Sequence, residues 1–492
     1  MVYSKEDSAI LKRHVSSLEK DIYALKNLPP EVVSVLFAYV SRSPASFRDN
    51  LLKLLKGGEL LPKGSFSETT DYFDAASDKA AEFHEKWVVG FGHNSVAEHA
   101  CVPVGIENVS ILASKVIEDS RLVAFTEKST RYQWFDRTKY LKPAKIMESE
   151  FGAEYEEVMN SLFDFYAEHT EAMLEFMRKK YPKPEKMADG FYNSITKARA
   201  CDVLRYALPS STLTNIGMTI NARALEHLIA KMLSHPLEEM NSIASDLKEE
   251  CGKVLPALLK AAKKNDYIFE TETRMLSFAE SFATKTGNGK PVNLVLSDEN
   301  PEAKLVASIF YRYGRNSFER CLEKAKKMSV KEMEKVLDKF CEGIGNEQPL
   351  REFEHAYFTF DILVDYGAFR DIQRHRMCTQ TNQLLTTDHG FSIPEAMKEF
   401  GIEKDFVEKM GKAKELFDRM RKEMPFGAQY CVPLAFKKRV LFTWNLRELW
   451  HFIKLRSGPA GHESYRKIAR QCYEELKEKH PLLVKYLKVN SA

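Results

Sequence analysis

The sequence predicts an α+β chain built as two tandem copies of one plan. Three observations carry this. A strand-like apolar run followed by a cap, a proline and a helical pattern occurs twice. Short polar motifs return in the same order at a slowly drifting offset. Within each half, helical spacing and short strand-like runs mix without the regular strand–helix alternation that a doubly wound parallel sheet requires.

Residues 1–30 come first and carry helical spacing in Ile10, Leu11, Val15, Leu18, Ile22 and Leu25, which predicts an accessory helix. The first copy, 31–284, opens on Val32 to Val40, β-rich and continuous, and Ser43-Pro44 then supplies a cap and a first-turn proline for a helix through Leu51, Leu52, Leu54 and Leu55. The turn-rich segment 285–291, Lys285 to Pro291, reads as the linker. The second copy, 292–492, repeats the opening with Val292 to Leu296, Asn300-Pro301 and an apolar face of Leu305, Val306, Ile309 and Phe310. Onward from there, Glu98-His99-Ala100 returns as Glu354-His355-Ala356 and Asp119-Ser120-Arg121 as Arg374-His375-Arg376. Leu208-Pro209 stands beside Val432-Pro433, and Asn221-Ala222-Arg223 returns as Asn445-Leu446-Arg447. The offsets are 354 − 98 = 256, 376 − 121 = 255 and 445 − 221 = 224, so one length difference between the copies accounts for the drift.

Composition narrows the class. At 492 residues, with 44% hydrophobic and 29% charged side chains, the chain is an ordinary folded protein of more than one domain. A net charge of +3 from 73 basic and 70 acidic residues argues against a nucleic-acid-wrapping protein, while leaving room for a local basic pocket. The eight cysteines stand singly, which points to a reduced, cytoplasmic setting without structural zinc. The longest apolar stretch, Val32 to Val40, is about half the ~18 residues a membrane span needs, so no membrane partner is expected.

Arg374-His375-Arg376 is the sharpest local signal. Two guanidinium forks can grip phosphate oxygens while an imidazole adds a donor or a stacking face; the bland alternative is a solvated basic helix face. The loop Gly92-His93-Asn94-Ser95-Val96-Ala97-Glu98-His99 lacks the third glycine of a dinucleotide fingerprint, and no His-Glu-x-x-His is present, so neither a dinucleotide loop nor a metal site is assigned. The aromatics Phe353, Tyr357, Phe358 and Phe360 read as core, Trp444 and Trp450 as core or cofactor-adjacent, and the Lys/Glu-rich stretch 238–264 as a solvated helix face.

Taken together, Gly-His-x-Ser-x-x-Glu-His, the Arg-His-Arg triplet, the string Glu127-Lys128-Ser129-Thr130-Arg131-Tyr132, Arg205 ahead of Leu208-Pro209, the Asn-x-Arg at Asn445 and Arg447, and Arg456 resemble the flavin-dependent thymidylate synthases, twice over. The resemblance implies two such domains forming a pseudo-dimer within one chain. It implies FAD as cofactor, NADPH and methylenetetrahydrofolate as co-substrates, dUMP as substrate, and a homodimer that rebuilds the family's tetramer. Neither half carries the whole pattern. The first keeps Ser95, Glu98, Glu127, Ser129, Arg131 and Arg205, but Asp119 and Ser120 replace the triplet's Arg and His, and Met232 its late Arg. The second keeps Arg374, His375, Arg376, Asn445, Arg447, His451 and Arg456, but Asn382, Leu384, Thr386 and Gln429 replace the phosphate-side residues.

By resemblance, then, a single composite site takes Glu127, Ser129, Arg131 and Arg205 from one half and Arg374 and Arg456 from the other to hold dUMP. Ser95, Glu98, Glu127, Arg374, His375, Arg376, Asn445, Arg447 and His451 would hold FAD. Arg456 would stabilise charge on the uracil and Ser129 would orient the nucleotide; no metal is implied. One departure stands out: Asp371 occupies the column where the family has Gln, which leaves open a related pyrimidine-modifying enzyme such as a hydroxymethylase. A non-catalytic nucleotide-binding scaffold is the remaining reading.

Overall fold

A computed structural model of the chain describes residues 3–19, 23–40, 46–56, 94–282, 289–459, 461–487 and 489. The Ser43-Pro44 cap, the loop through His93, Ile22 and most of the linker lie outside these. Two compact units emerge, and they interleave along the sequence. One holds Met1–Val109, Leu122–Lys128 and Thr214–Ala283; the other holds Ser110–Arg121, Ser129–Leu213 and Thr284–Ala492.

In the first unit the N-terminal helix is short, Lys5–His14, started by Ser4, whose Oγ accepts from the Asp7 amide at 3.0 Å. Val15 and Leu25, read as parts of a longer helix, instead meet in an antiparallel bridge. Val32 to Val40 is not a strand: it lies in the helix Pro30–Val40. Proline opens that helix at a position where its missing N–H is harmless. Val32 and Leu36, four residues apart, face one core with Leu11, Leu51 and Leu55, and this helical spacing of core contacts overrides the β-propensity of the valines. A three-stranded sheet follows, β1 (Cys101–Ser110), β2 (Val123–Glu127) and β3 (Leu213–Asn221), in the order β1-β3-β2. Asn221 caps the next helix, Ala222–Leu233, by accepting from the Ala224 amide at 2.8 Å. The stretch 238–264 is helical only over Glu238–Gly252 and buries Met240, Ala244, Leu247 and Cys251, so one face of it is core.

The second unit is built on an antiparallel sheet of β4 (Val292–Ser297), β5 (Tyr357–Asp365), β6 (Thr379–Asn382) and β7 (Lys437–Asn445), ordered β4-β5-β7-β6. Its core is aromatic. Trp444 stacks between Phe442, at 4.7 Å, and Phe452, at 4.8 Å, with Phe353, Phe358, Phe360 and Trp450 also buried and only Tyr357 of that group exposed.

The repeat is written in the backbone of this unit. The Ile111 amide donates to Thr212 O at 2.9 Å and Leu112 to Ser210 O at 3.0 Å; the second copy answers with Tyr366 to Phe436 O at 2.9 Å and Gly367 to Leu434 O at 3.0 Å. Ser110 caps the helix Ile111–Ile117 as Asp365 caps Tyr366–Ile372. The two Leu-Pro segments then pair with each other: Pro209 and Pro433 form an antiparallel bridge, Ser210 donates to Val432 O and Leu434 to Leu208 O, each at 2.9 Å.

Candidate active site

That pairing brings residues far apart in sequence into one cluster of the second unit. Arg205 opens the turn after the helix Asp189–Leu204, Asp371 sits near the end of Tyr366–Ile372, and Arg456 ends Leu446–Arg456. Tyr465 lies in the first turn of Glu463–Lys479. Arg131 donates in fork geometry to Asp202, Nε to Oδ1 at 2.7 Å and Nη2 to Oδ2 at 2.8 Å, and its Nη1 donates to the Tyr465 hydroxyl at 3.4 Å. Arg456 approaches the same ring, its guanidinium carbon 5.4 Å from the centroid. Arg131 and Arg456, from opposite halves, thus share Tyr465.

Arg205 is 2% exposed, and its Nη1 reaches Thr130 Oγ1 at 3.5 Å, while Nε and Nη2 have no hydrogen-bond partner among the described residues. Its nearest carboxylates, Asp202 and Asp371, each stand 3.9 Å away. Arg374, half exposed, lies 4.0 Å from the opposite oxygen of Asp371. Burial works to raise the Asp371 carboxyl, and the guanidinium groups of Arg205, Arg374, Arg456 and Arg131 more than reverse it, leaving the carboxyl below its ordinary value. Two donors of a buried arginine without partners are a costly arrangement in a dry interior, and they fit an anion better than they fit the protein alone.

His375 is buried with both ring nitrogens engaged, Nδ1 at 3.2 Å from Glu448 Oε1 and Nε2 accepting from Arg456 Nε at 3.0 Å. Burial lowers the pKa of His375 despite Glu448. Arg456 is likewise lowered by burial, with Asp371 opposing. His462, stacked on Tyr206 at 5.7 Å, is buried and lowered as well, with Arg205 adding to the effect.

Ser129 Oγ accepts from the Arg131 amide at 3.1 Å and so shapes the turn that presents Arg131. Asn445 accepts from the Glu448 amide at 2.9 Å as a helix cap. Arg447 donates to Pro349 O at 2.8 Å and to Glu354 at 3.1 Å, a contact that the first unit repeats between Arg223 and Glu98 at 2.6 Å. His451 lies 5.4 Å from the His375 ring and 2.9 Å from Gln348 Nε2, on the wall of a cavity of about 430 Å³ shared with Trp450, Lys454 and Leu455. Arg376 follows His375, and burial lowers its pKa, with Glu118 opposing. Ser95, Glu98 and Glu127 belong to the first unit. Asp202 and Tyr465 were missed by sequence reasoning. Asp202, three residues before Arg205 on a helix, carried a usable signal; Tyr465 carried none.

The reciprocal positions look different. Gln429, at the place of Arg205 (429 − 205 = 224), is buried, its Oε1 accepting from the Leu385 amide at 3.0 Å and its Nε2 donating to Phe426 O at 3.1 Å. Thr386 closes a local turn onto Asp388, and Asp119 is the opposing charge for Lys438, which burial pulls down to about 8.

The family model of the thymidylate synthase complementing proteins matches residues 58–257 and again residues 293–482. The chain belongs to this family, through two copies. A UPF0159 protein of Chlamydia muridarum is 34% identical, the match covering 99% of this chain and 95% of that protein. A UPF0159 protein of Thermoplasma acidophilum is 31% identical over 85% of this chain and 90% of its own. The flavin-dependent thymidylate synthase of Thermococcus kodakarensis is 27% identical over 39% of this chain and 72% of its own, the span of a single copy. A crystal structure of flavin dependent thymidylate synthase ThyX from Helicobacter pylori complexed with FAD and dUMP aligns with 40% of this chain and 98% of its own at 16% identity. Its TM-score is 0.30, a likeness too slight to carry over any detail.

Proposed function

We propose that this chain is a flavin-dependent thymidylate synthase-like enzyme that converts dUMP to dTMP at one composite site per chain. The observation that supports it best is the meeting of Arg131 and Arg205 from the first copy with Arg374 and Arg456 from the second around Asp371 and Tyr465. The unpartnered N–H groups of Arg205 suit a phosphate monoester.

The carbon of methylenetetrahydrofolate becomes the C5 methyl of the pyrimidine. Two electrons from NADPH bring it from the formaldehyde to the methyl level, the C5 proton departs, and tetrahydrofolate and NADP⁺ are released. C5 is nucleophilic only if charge on the ring oxygens is stabilised, which a fixed guanidinium in a dry pocket achieves without reorganisation; Arg456 takes that role. Ser129 holds Arg131 toward the nucleotide. The cavity beside His451, with Trp450 and Leu455 as apolar walls and Lys454 as a cation, lies within the ~300–1,000 Å³ range of small-molecule sites and suits a flat ring with an anionic tail. His451 and Lys454 would hold FAD there, with Arg374 reaching its phosphates from outside the cavity and His375 behind His451, and bound FAD would supply the two-electron chemistry. A cytoplasmic homodimer of chains is the assembly this reading implies.

Asp371 among the arginines favours a second reading, a sister enzyme acting on another pyrimidine nucleotide or ending at the hydroxymethyl level. Equilibrium dialysis that counts dUMP and FAD per chain, followed by product analysis, tests both. One of each with dTMP formed is the expected result. Two dUMP per chain contradicts the composite site, a product other than dTMP selects the second reading, and nucleotide bound without FAD or product leaves a nucleotide-binding scaffold. Ser129→Leu and Arg374→Ala should each abolish turnover, measured as dTMP formed.

A further inference from the structure

The chain Glu448–His375–Arg456 has a direction. Arg456 Nε can only donate, so the His375 Nε2 it meets at 3.0 Å must present its lone pair. The ring proton of neutral His375 then sits on Nδ1, which faces Glu448 Oε1 at 3.2 Å. Glu448 is held in turn, its amide bonded to Asn445 Oδ1 in the first turn of the helix that ends in Arg456. The ring itself is fixed by Phe452, edge-on at 5.2 Å, and by His451. We propose that Glu448 is a positioning residue: by fixing the tautomer of His375 it makes the imidazole an acceptor that aims the Arg456 guanidinium. This rests on the reading of Arg456 as the group that stabilises charge on the pyrimidine.

The consequence is a requirement for neutral His375. Protonation removes the acceptor at Nε2 and sets an imidazolium against a guanidinium. The charged groups facing this ring are Glu448, Arg456 and His451; the carboxylate favours the protonated form, while burial and the two other groups disfavour it. Replacing the carboxylate with a neutral amide must therefore lower the His375 pKa further, and because an amide can present its NH2 to Nδ1 as well as its oxygen, it no longer fixes the tautomer.

The experiment uses the full chain, wild type and Glu448→Gln. Histidine Cε1–Hε1 signals are followed against pH, with His375 assigned by its loss in His375→Gln, and dTMP formation is measured in parallel. In Glu448→Gln the His375 midpoint should fall, and with it the acid limb of the pH–rate profile. At neutral pH kcat should drop on the order of tenfold, the scale on which orienting partners act, with a smaller change in KM for dUMP. A moved midpoint with kcat unchanged, or a lowered kcat with the midpoint unmoved, overturns the proposal. If the wild type makes no dTMP, the functional reading fails on its own. The relay is then decided by the Arg456 Nε–H resonance, which should be exchange-protected in the wild type and lose that protection in Glu448→Gln; an unchanged resonance overturns it.

Discussion

Arg205 and Gln429 occupy equivalent places in two copies of one scaffold, and their surroundings differ in kind. Around both, the same backbone bonds recur nearly to the tenth of an ångström. Around Gln429 both side-chain polar atoms bond to the protein, through the Leu385 amide and Phe426 O. Around Arg205 two buried donors are left over and carboxylates stand back at 3.9 Å. The backbone carries the fold in both copies; at this position the side chain keeps spare donors in only one. A glutamine satisfied internally stabilises, whereas an arginine left short of partners is kept at a cost that binding an anion would offset.

The sharpest way to break the comparison is to exchange the two residues. Arg205→Gln should weaken dUMP binding by more than about 100-fold, as two charge-assisted hydrogen bonds of roughly 1.5–3 kcal/mol each are lost. Gln429→Arg should create no second site, because Thr386 and Asp119 stand where the other site has Arg131 and Arg374; isothermal titration reads both. Acid comes next. His375 and His462 both have pKa values lowered from 6.5 by burial, so the unfolded chain takes up protons first. Their contribution is intact above about pH 6.5 and lost as pH falls toward their folded values, so the thermal midpoint should drop steadily below pH 6.5. Gln429→Ala strands the Leu385 amide and should cost about 1–3 kcal/mol of stability, seen in chemical denaturation, with dUMP affinity unchanged. Leu384→Ala, half-buried on the inactive side, should leave turnover at the wild-type level.

The duplication, the α+β mixture and the arginines of the cluster were legible in the sequence because motifs and spacing survive translation into a string. Three things were not. Val32 to Val40 reads as a strand by composition, but the packing of Val32 and Leu36 on Leu11 and Leu51 makes it a helix, and that partner surface is invisible locally. Asn445 reads as a ligand by motif, and the motif does not show that its Oδ1 also caps a helix. Tyr465, which joins Arg131 to Arg456, lies 334 residues from the former, and nothing short of the folded chain announces it.

The Pro209–Pro433 crossing has one more implication. Each Leu-Pro segment finds its backbone partners on the other copy, so neither can be trimmed away as surplus. Each copy, lacking part of the family pattern, is bound to persist as a template for its twin, free to vary in chemistry at the replaced positions and barred from varying in shape. A gene shortened to the half with the Arg-His-Arg triplet would encode a fragment with open edges rather than a smaller enzyme.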